Sequence, residues 1–151
     1  CNQRNADLRL TIGRPRVTDE KYAIYVRYMQ SRHEPGGDVS RETFASFLYD
    51  SPVRTREFCY HDSAGRLLAV GLCDLCEHSL SSVYFYFDPT ESSRGLGTFG
   101  VLREIDFARK NCIPFYYLGY HVAGCASMQY KSNFGPHELL GADGVWRIAL
   151  A

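Results

Sequence analysis

One unit near the middle of the chain narrows the folds open to it more than any other feature: a strand, a glycine-bearing loop, a long amphipathic helix and a second strand. Ser81–Phe87 is rich in aromatic and β-branched residues, which suits a strand, and it stops at Asp88-Pro89. The loop Thr90-Glu91-Ser92-Ser93-Arg94-Gly95-Leu96-Gly97-Thr98 follows. Beyond it Phe99, Leu102, Ile105, Ala108 and Cys112 recur on one side of a helix, with Arg103, Glu104, Asp106, Arg109 and Lys110 on the other. Phe115–Leu118 then reads as a strand. Two strands joined through a helix run parallel, and the crossover is expected to be right-handed. The chain must therefore build a sheet covered by helices, and the fold class is α/β (α+β).

The flanking segments fit the same plan. Glu57–His61, the turn Asp62-Ser63-Ala64-Gly65 and Arg66–Asp74 read as a hairpin, with Leu68, Val70 and Leu72 expected on one face. Two helices precede it. Thr18 is an N-cap candidate followed by Asp19 and Glu20, and that helix should run to about His33, before Pro35-Gly36-Gly37. Ser40 is a second N-cap candidate, ahead of Phe44, Phe47 and Leu48. A short helical or irregular stretch is expected over 124–131, and a last strand over 145–150. Residues 1–16 are a lead-in carrying Arg4, Arg9, Arg14 and Arg16 against the single acid Asp7.

Composition excludes several classes. With 151 residues the chain has the size of one domain with a real core. Lys+Arg and Asp+Glu are 17 each, so it is no polybasic protein, although a local basic patch remains possible. The longest stretch free of charged residues, Asn111 to Tyr130, is broken by Pro114 and glycines and fails as a membrane span. Six cysteines scattered through apolar segments suit reduced thiols and a cytoplasmic location. Residue 1 is Cys rather than Met, and the chain is read as part of a longer protein.

Chemistry-bearing residues fall in a few places. Arg94-Gly95-Leu96-Gly97 opens a helix, where glycines let backbone amides approach a ligand and the helix end favours an anion. No Walker Lys-Ser/Thr is present, and the dinucleotide pattern is poorly met. The loop resembles the acyl-donor loop of GNAT-type acyltransferases, with Ser92 where Gln or Arg is expected. A plain strand-to-helix turn explains the same residues equally well. Tyrosines crowd Phe115–Tyr120, and Met128-Gln129-Tyr130-Lys131 ends a long uncharged run. Tyrosine hydroxyls can position a carbonyl or leaving group. Aromatic core packing with an exposed Lys131 is the simpler account. Cys73-x-x-Cys76 beside His78 lacks the second ligand pair that structural zinc needs. A Cys125 nucleophile with His121 is a weaker alternative still.

Taken together, these segments resemble the C-terminal half of the aminoacyl-tRNA–protein transferases, the arginyl- and leucyltransferases of the N-degron pathway. The matching stretches are Arg4-Asn5-Ala6-Asp7-Leu8, Ser81-Ser82-Val83-Tyr84 with Asp88-Pro89, Leu96-Gly97-Thr98, Tyr117-Leu118-Gly119-Tyr120, Met128-x-Tyr130-Lys131, and Phe134-x-Pro136-x-Glu138 with Trp146. The resemblance implies a GNAT-like fold, a mixed central sheet flanked by helices, over residues 1–151. It implies a missing N-terminal half whose cysteine cluster binds zinc or an iron–sulfur cluster, with no cofactor in this domain. Two departures stand out: Ser127 where a basic residue is usual, and His121 where an aromatic is frequent.

The implied activity is transfer of an amino acid from aminoacyl-tRNA to the N-terminal amine of proteins beginning with Asp or Glu, with no membrane partner. Leucine is slightly favoured over arginine. By that resemblance Arg94, Gly95, Leu96, Gly97 and Thr98 receive the tRNA 3′ end. Lys131 first, then Arg94, meets the acceptor carboxylate, and Tyr117, Tyr120 and Tyr130 orient the amine or ester. Arg4, Arg9, Arg14 and Arg16 are candidates for tRNA phosphates. Two other functions remain open: a CoA-dependent N-acyltransferase, and a non-catalytic domain that binds acidic N-termini.

Overall fold

The computed structural model describes residues 2–32, 39–122, 124, 125 and 128–149. The chain divides into two compact units, Cys1–Tyr117 and Leu118–Ala151. In the first unit the strands are β1 (Arg9–Gly13), β2 (Thr55–His61), β3 (Leu67–Leu75), β4 (Ser79–Phe87) and β5 (Phe115–Tyr117), and the helices are α1 (Asp19–Arg32), α2 (Arg41–Tyr49) and α3 (Leu96–Lys110). They form one mixed sheet in the order β1-β2-β3-β4-β5. Neighbours are antiparallel except β4 and β5, which are parallel, as the helical crossover requires.

Local chemistry sets the helix starts. The Thr18 side chain accepts a hydrogen bond from the Lys21 amide at 3.3 Å. Ser40 accepts one from the Thr43 amide at 3.2 Å. Both satisfy donors that a first helical turn leaves without an intrahelical partner. The expected end of α1 near His33 lies outside the described residues.

The core has two sides. Phe58, Tyr60, Leu68, Ala69 and Cys73 pack with Leu96, Phe99 and Ala108 of α3. Ile24, Tyr25, Phe44 and Leu48 of α1 and α2 pack with Cys59, Val70, Leu72 and Tyr86. Leu68 therefore does not share a side with Val70 and Leu72, contrary to the expected alternation. A register shift at Tyr60/His61, opposite Leu67, accompanies this change. Every residue from Leu67 to Cys73 is buried, so β3 reads as a continuous apolar run rather than an alternating one.

Buried polar groups stitch the helices to the sheet. Lys21 Nζ pairs with Glu57 Oε2 at 2.5 Å and also donates to the Arg16 carbonyl at 2.9 Å. The Tyr49 hydroxyl donates to Glu57 Oε1 at 3.1 Å and lies 2.9 Å from that of Tyr86. Part of the tyrosine content is thereby explained, since a buried phenol needs a partner.

On the other side α3 lies close to β4. A Cβ at Gly100 would stand 2.3 Å from the Phe85 ring, so only glycine admits this approach. The helix buries part of the expected face, Phe99 and Ala108, with Leu102 and Ile105 half-buried, but the buried side also takes in Val101 and Glu104. Glu104, assigned to the polar side, is 1% exposed, whereas Cys112 is exposed. The loop expected at 90–98 is also more ordered than a loop. Pro89–Arg94 forms a 3-10 turn capped by Asp88, and Gly95 at φ 65° passes the chain into α3.

In the second unit β6 (His137–Leu140) pairs antiparallel with β7 (Trp146–Ala149). The sequence indicated β7 but not its partner. A 3-10 turn at Gln129–Asn133 overlaps the end of the short helical or irregular stretch expected over 124–131, part of which lies outside the described residues. None of the described residues of this unit is buried. No helix among the described residues is long and apolar enough to cross a membrane.

Candidate functional site

The sheet opens where its hydrogen bonding changes from antiparallel to parallel. β4 and β5 pair only through Ser79, Leu80 and Ser81 with Phe115, Tyr116 and Tyr117. Beyond Ser81, β4 continues to Phe87 with no described partner on that side. The parting coincides with a bulge. Leu72 and Cys73 are adjacent on β3 but face Tyr84 and Ser82 on β4, so Val83 is an extra residue. A bulge re-aims backbone groups and ends regular pairing. Val83 is accordingly half exposed.

α3 begins after β4 and the capped turn. Its first i→i−4 bond runs from the Phe99 amide to the Gly95 carbonyl at 3.1 Å. The amides of Leu96, Gly97 and Thr98 precede that bond, and such amides suit an anionic or carbonyl ligand. Nothing lies within 4 Å of a Cβ built at Gly97, so this position leaves open space at the helix end.

Arg94 is heavily engaged. Its Nη1 and Nη2 meet Asp7 Oδ1 and Oδ2 at 2.9 and 3.1 Å, and its Nε donates to Glu91 Oε2 at 2.8 Å. Nη1 also donates to the Arg4 carbonyl. Glu91 is shared with Arg66, which in turn reaches Asp62. These bonds raise the Arg94 pKa and hold those of Asp7 and Glu91 below the ordinary carboxylate range. Arg4 and Asn5 complete the clamp, donating to the carbonyls of Ser93 and Arg94 at 3.1 Å each. The Arg4–Asp7 stretch is thus a brace for the loop before α3.

Lys131 sits differently, within the second unit. It is half-buried, and its Nζ donates to the Tyr120 carbonyl at 2.7 Å. No ion pair among the described residues includes it. Burial pulls its pKa below the ordinary lysine value. Gly119, at φ 80°, lies against it, since a Cβ there would be 3.5 Å from Nζ. Tyr130 packs its ring edge-on to Phe134, and the Tyr120 side chain is 88% exposed.

The predicted site residues thus separate by unit. Arg94, Gly95, Leu96, Gly97, Thr98 and Tyr117 belong to the first. Tyr120, Tyr130 and Lys131 belong to the second and share one turn-rich stretch. Ser127 lies outside the described residues. Cys73 is fully buried with its thiol pKa pushed up, and Cys76 is exposed. Among the described residues no group of three or more His, Cys, Asp or Glu is placed to hold a metal.

Sequence reasoning missed Glu104. Its Oε2 accepts from the Tyr116 hydroxyl at 2.6 Å, while its Oε1 has no partner among the described residues. Burial raises its pKa. A helical wheel could not find it, because the polar side chain falls on the buried face. The nearest signal was Gly100, one turn earlier, which marks the side that touches the sheet.

Comparison with known proteins now bears on this geometry. A family model described as "Arginine-tRNA-protein transferase, C terminus" matches residues 20–141. The chain belongs to this family. Among its relatives is a protein named aspartate/glutamate leucyltransferase from Parvibaculum lavamentivorans, 43% identical over 146 residues, which are 95% of this chain and 60% of the relative. A protein of the same name from Pseudomonas putida W619 is 41% identical, over 91% of this chain and 59% of the relative. The chain spans about three-fifths of the length of these relatives. Solved structures show the fold to be that of the GNAT acyltransferases. The ribosomal-protein-S18-alanine N-acetyltransferase of Escherichia coli superposes with a TM-score of 0.61 at 20% identity, covering 91% of this chain and 88% of that one. A GNAT acetyltransferase from Staphylococcus aureus Mu50 gives 0.57 at 13% identity, covering 89% and 88%.

Proposed function

We propose that this chain is the catalytic part of a cytoplasmic transferase that moves leucine from leucyl-tRNA to the α-amine of proteins beginning with Asp or Glu. The observation that carries this reading is 43% identity across 95% of the chain with a protein named aspartate/glutamate leucyltransferase. In the reaction the acceptor amine attacks the ester carbonyl carbon. A C–N bond forms, the C–O bond to the ribose breaks, and the 3′ hydroxyl leaves with a proton taken from the amine. The ester is already activated, so the reaction as proposed needs neither an enzyme-bound intermediate nor a cofactor.

An α-amino group has a pKa of about 7.7–8.0, and much of the base help is therefore intrinsic near neutral pH. Positioning and oxyanion stabilisation remain as the protein's task. The bulged edge of β4 and the first amides of α3 are the donors assigned to the ester end. Tyr117, Tyr120 and Tyr130 are assigned to orientation. Lys131 is assigned to the acceptor carboxylate in preference to Arg94, because Arg94 already binds two carboxylates.

The test is a transfer assay with the full-length protein, labelled Leu-tRNA and Arg-tRNA in parallel, and peptides beginning with Asp, Glu or Ala. Label from Leu-tRNA on the acidic peptides alone is the expected result. Label from Arg-tRNA instead corrects the donor. No label from either defeats the reading, and thermal stabilisation by acetyl-CoA would then favour a CoA-dependent acyltransferase.

A further inference from the structure

Arginines in the first unit fall into two groups. Arg27, Arg41, Arg66, Arg94 and Arg103 each hold a carboxylate within 4.0 Å. Arg4, Arg9, Arg16, Arg32 and Arg109 hold none among the described residues, and neither do Arg14, Arg54 and Arg56. Yet these three line one cavity of about 480 Å³, with no acidic residue in its wall. Arg14 follows the end of β1, while Arg54 and Arg56 flank Thr55 at the head of β2. Asp74, cross-strand from Thr55, accepts from the Thr55 hydroxyl at 2.7 Å and forms no ion pair with these arginines. The Tyr49 hydroxyl is spent on Glu57 and Tyr86, so its ring serves only as wall. In a chain of zero formal charge, three uncompensated guanidinium groups around one concavity form a built anion site. Planar guanidinium forks match phosphate oxygens in pairs.

The sheet fixes where this cavity lies. Thr55 pairs with Asp74, Asp74 with Ser81, and Ser81 with Tyr117. The cavity thus borders the same cross-strand row that ends where β4 and β5 part. Adjacent strands are about 4.8 Å apart, so three spacings put roughly 14 Å between the two ends of the row. A short run of an extended nucleic-acid strand covers that distance.

We infer that the Arg14–Arg54–Arg56 cavity is a phosphodiester-binding site that holds the backbone of the tRNA acceptor strand while its aminoacylated end lies at the β4–β5 opening. This inference rests on the tRNA-dependent reading above. The contacts position the strand and carry no base preference.

The experiment titrates labelled tRNA with the full-length protein across a salt series, for the wild type, the R54Q/R56Q pair and the R54K/R56K pair. Thermal melting checks that each variant is folded, and the single R14Q variant, in a loop, carries the test if the double variants are not. The glutamine pair should bind at least about ten-fold more weakly at low salt. Its slope of log affinity against log salt should fall by about 1.4–1.8, the value for two lost phosphate contacts. The lysine pair should keep the wild-type slope. Wild-type affinity and slope in the glutamine pair overturn the inference and leave the proposed function standing. Absence of tRNA binding by the wild type defeats both. If inorganic phosphate alone stabilises the wild type but not the glutamine pair, while tRNA binding is unchanged, the cavity holds a small phosphate and the inference is overturned.

Discussion

Two titratable groups, the half-buried Lys131 of the second unit and the buried Glu104 of the first, behave in opposite ways because of what surrounds them. Lys131 is a cation without a counter-ion among the described residues, held by one carbonyl and with its pKa lowered by burial. In the proposed reaction the acceptor carboxylate would be that partner. Replacing it by Ala is expected to lower kcat/KM for Asp- and Glu-initiated peptides by about 10- to 150-fold, the worth of one hydrogen bond to a charged group. An unchanged value with a folded variant would remove Lys131 from the site. Glu104 has the reverse need. Its raised pKa means the folded state favours the protonated acid more than the unfolded chain does. Its contribution is therefore fully present below the ordinary value of 4.5 and is lost as pH rises through the folded-state pKa. Glu104→Gln keeps an uncharged group of similar shape. Melts from pH 5 to 9 should show the wild type losing stability relative to this variant, and parallel curves would refute the assignment.

The packing of α3 on β4 decides which glycines of that helix are replaceable. Ala is normally better than Gly in a helix by about 1 kcal/mol. At Gly100 the sign reverses, because the new methyl meets the Phe85 ring. Gly100→Ala should destabilise the first unit by about 1–3 kcal/mol in chemical denaturation, the usual cost of overpacking. Gly97→Ala meets nothing within 4 Å and should leave stability undiminished, while weakening tRNA binding if a ligand occupies that helix end. Equal stability of the two variants would show that α3 is not seated this closely. The same helix shows what a sequence can and cannot disclose. The parallel crossover, both N-caps and the β2–β3 hairpin follow from local rules, and each is present. The full buried face of α3 does not follow, because Glu104 counts as polar on any scale and its hydrogen-bond partner Tyr116 lies twelve residues on. β6 was missed because His137-Glu138-Leu139-Leu140 lacks β-branched residues and acquires strand form only through its partner β7. For the site, Arg94 was legible as a cation beside the glycines, but its engagement by Asp7 arises between residues far apart in the chain.

Across the whole molecule stability is unevenly distributed. β3 is flanked by strands on both edges and buried from Leu67 to Cys73. The second unit has no buried residue among those described and offers one two-stranded ladder. Its segment, Leu118–Ala151, is shorter than the roughly 40 residues below which unaided folding is rare. Amide exchange should therefore separate the units: β3 amides exchange only through global unfolding, and those of β6 and β7 through a smaller local opening. Equal protection of β3 and β7 would show that the two units open together and would defeat this division. The difference bears on function, because Lys131 belongs to the unit that opens more readily. A ligand bound there opposes that opening by RT ln(1 + [L]/Kd). A peptide with an N-terminal Asp, at about 100 times its Kd, should slow exchange in β6 and β7 by about 100-fold, and β3 exchange by the same factor because global unfolding also releases the peptide. The same peptide beginning with Ala should do neither. If the acidic peptide protects β3 but not β6 and β7, the acceptor site belongs to the first unit, and a cation other than Lys131 receives the carboxylate.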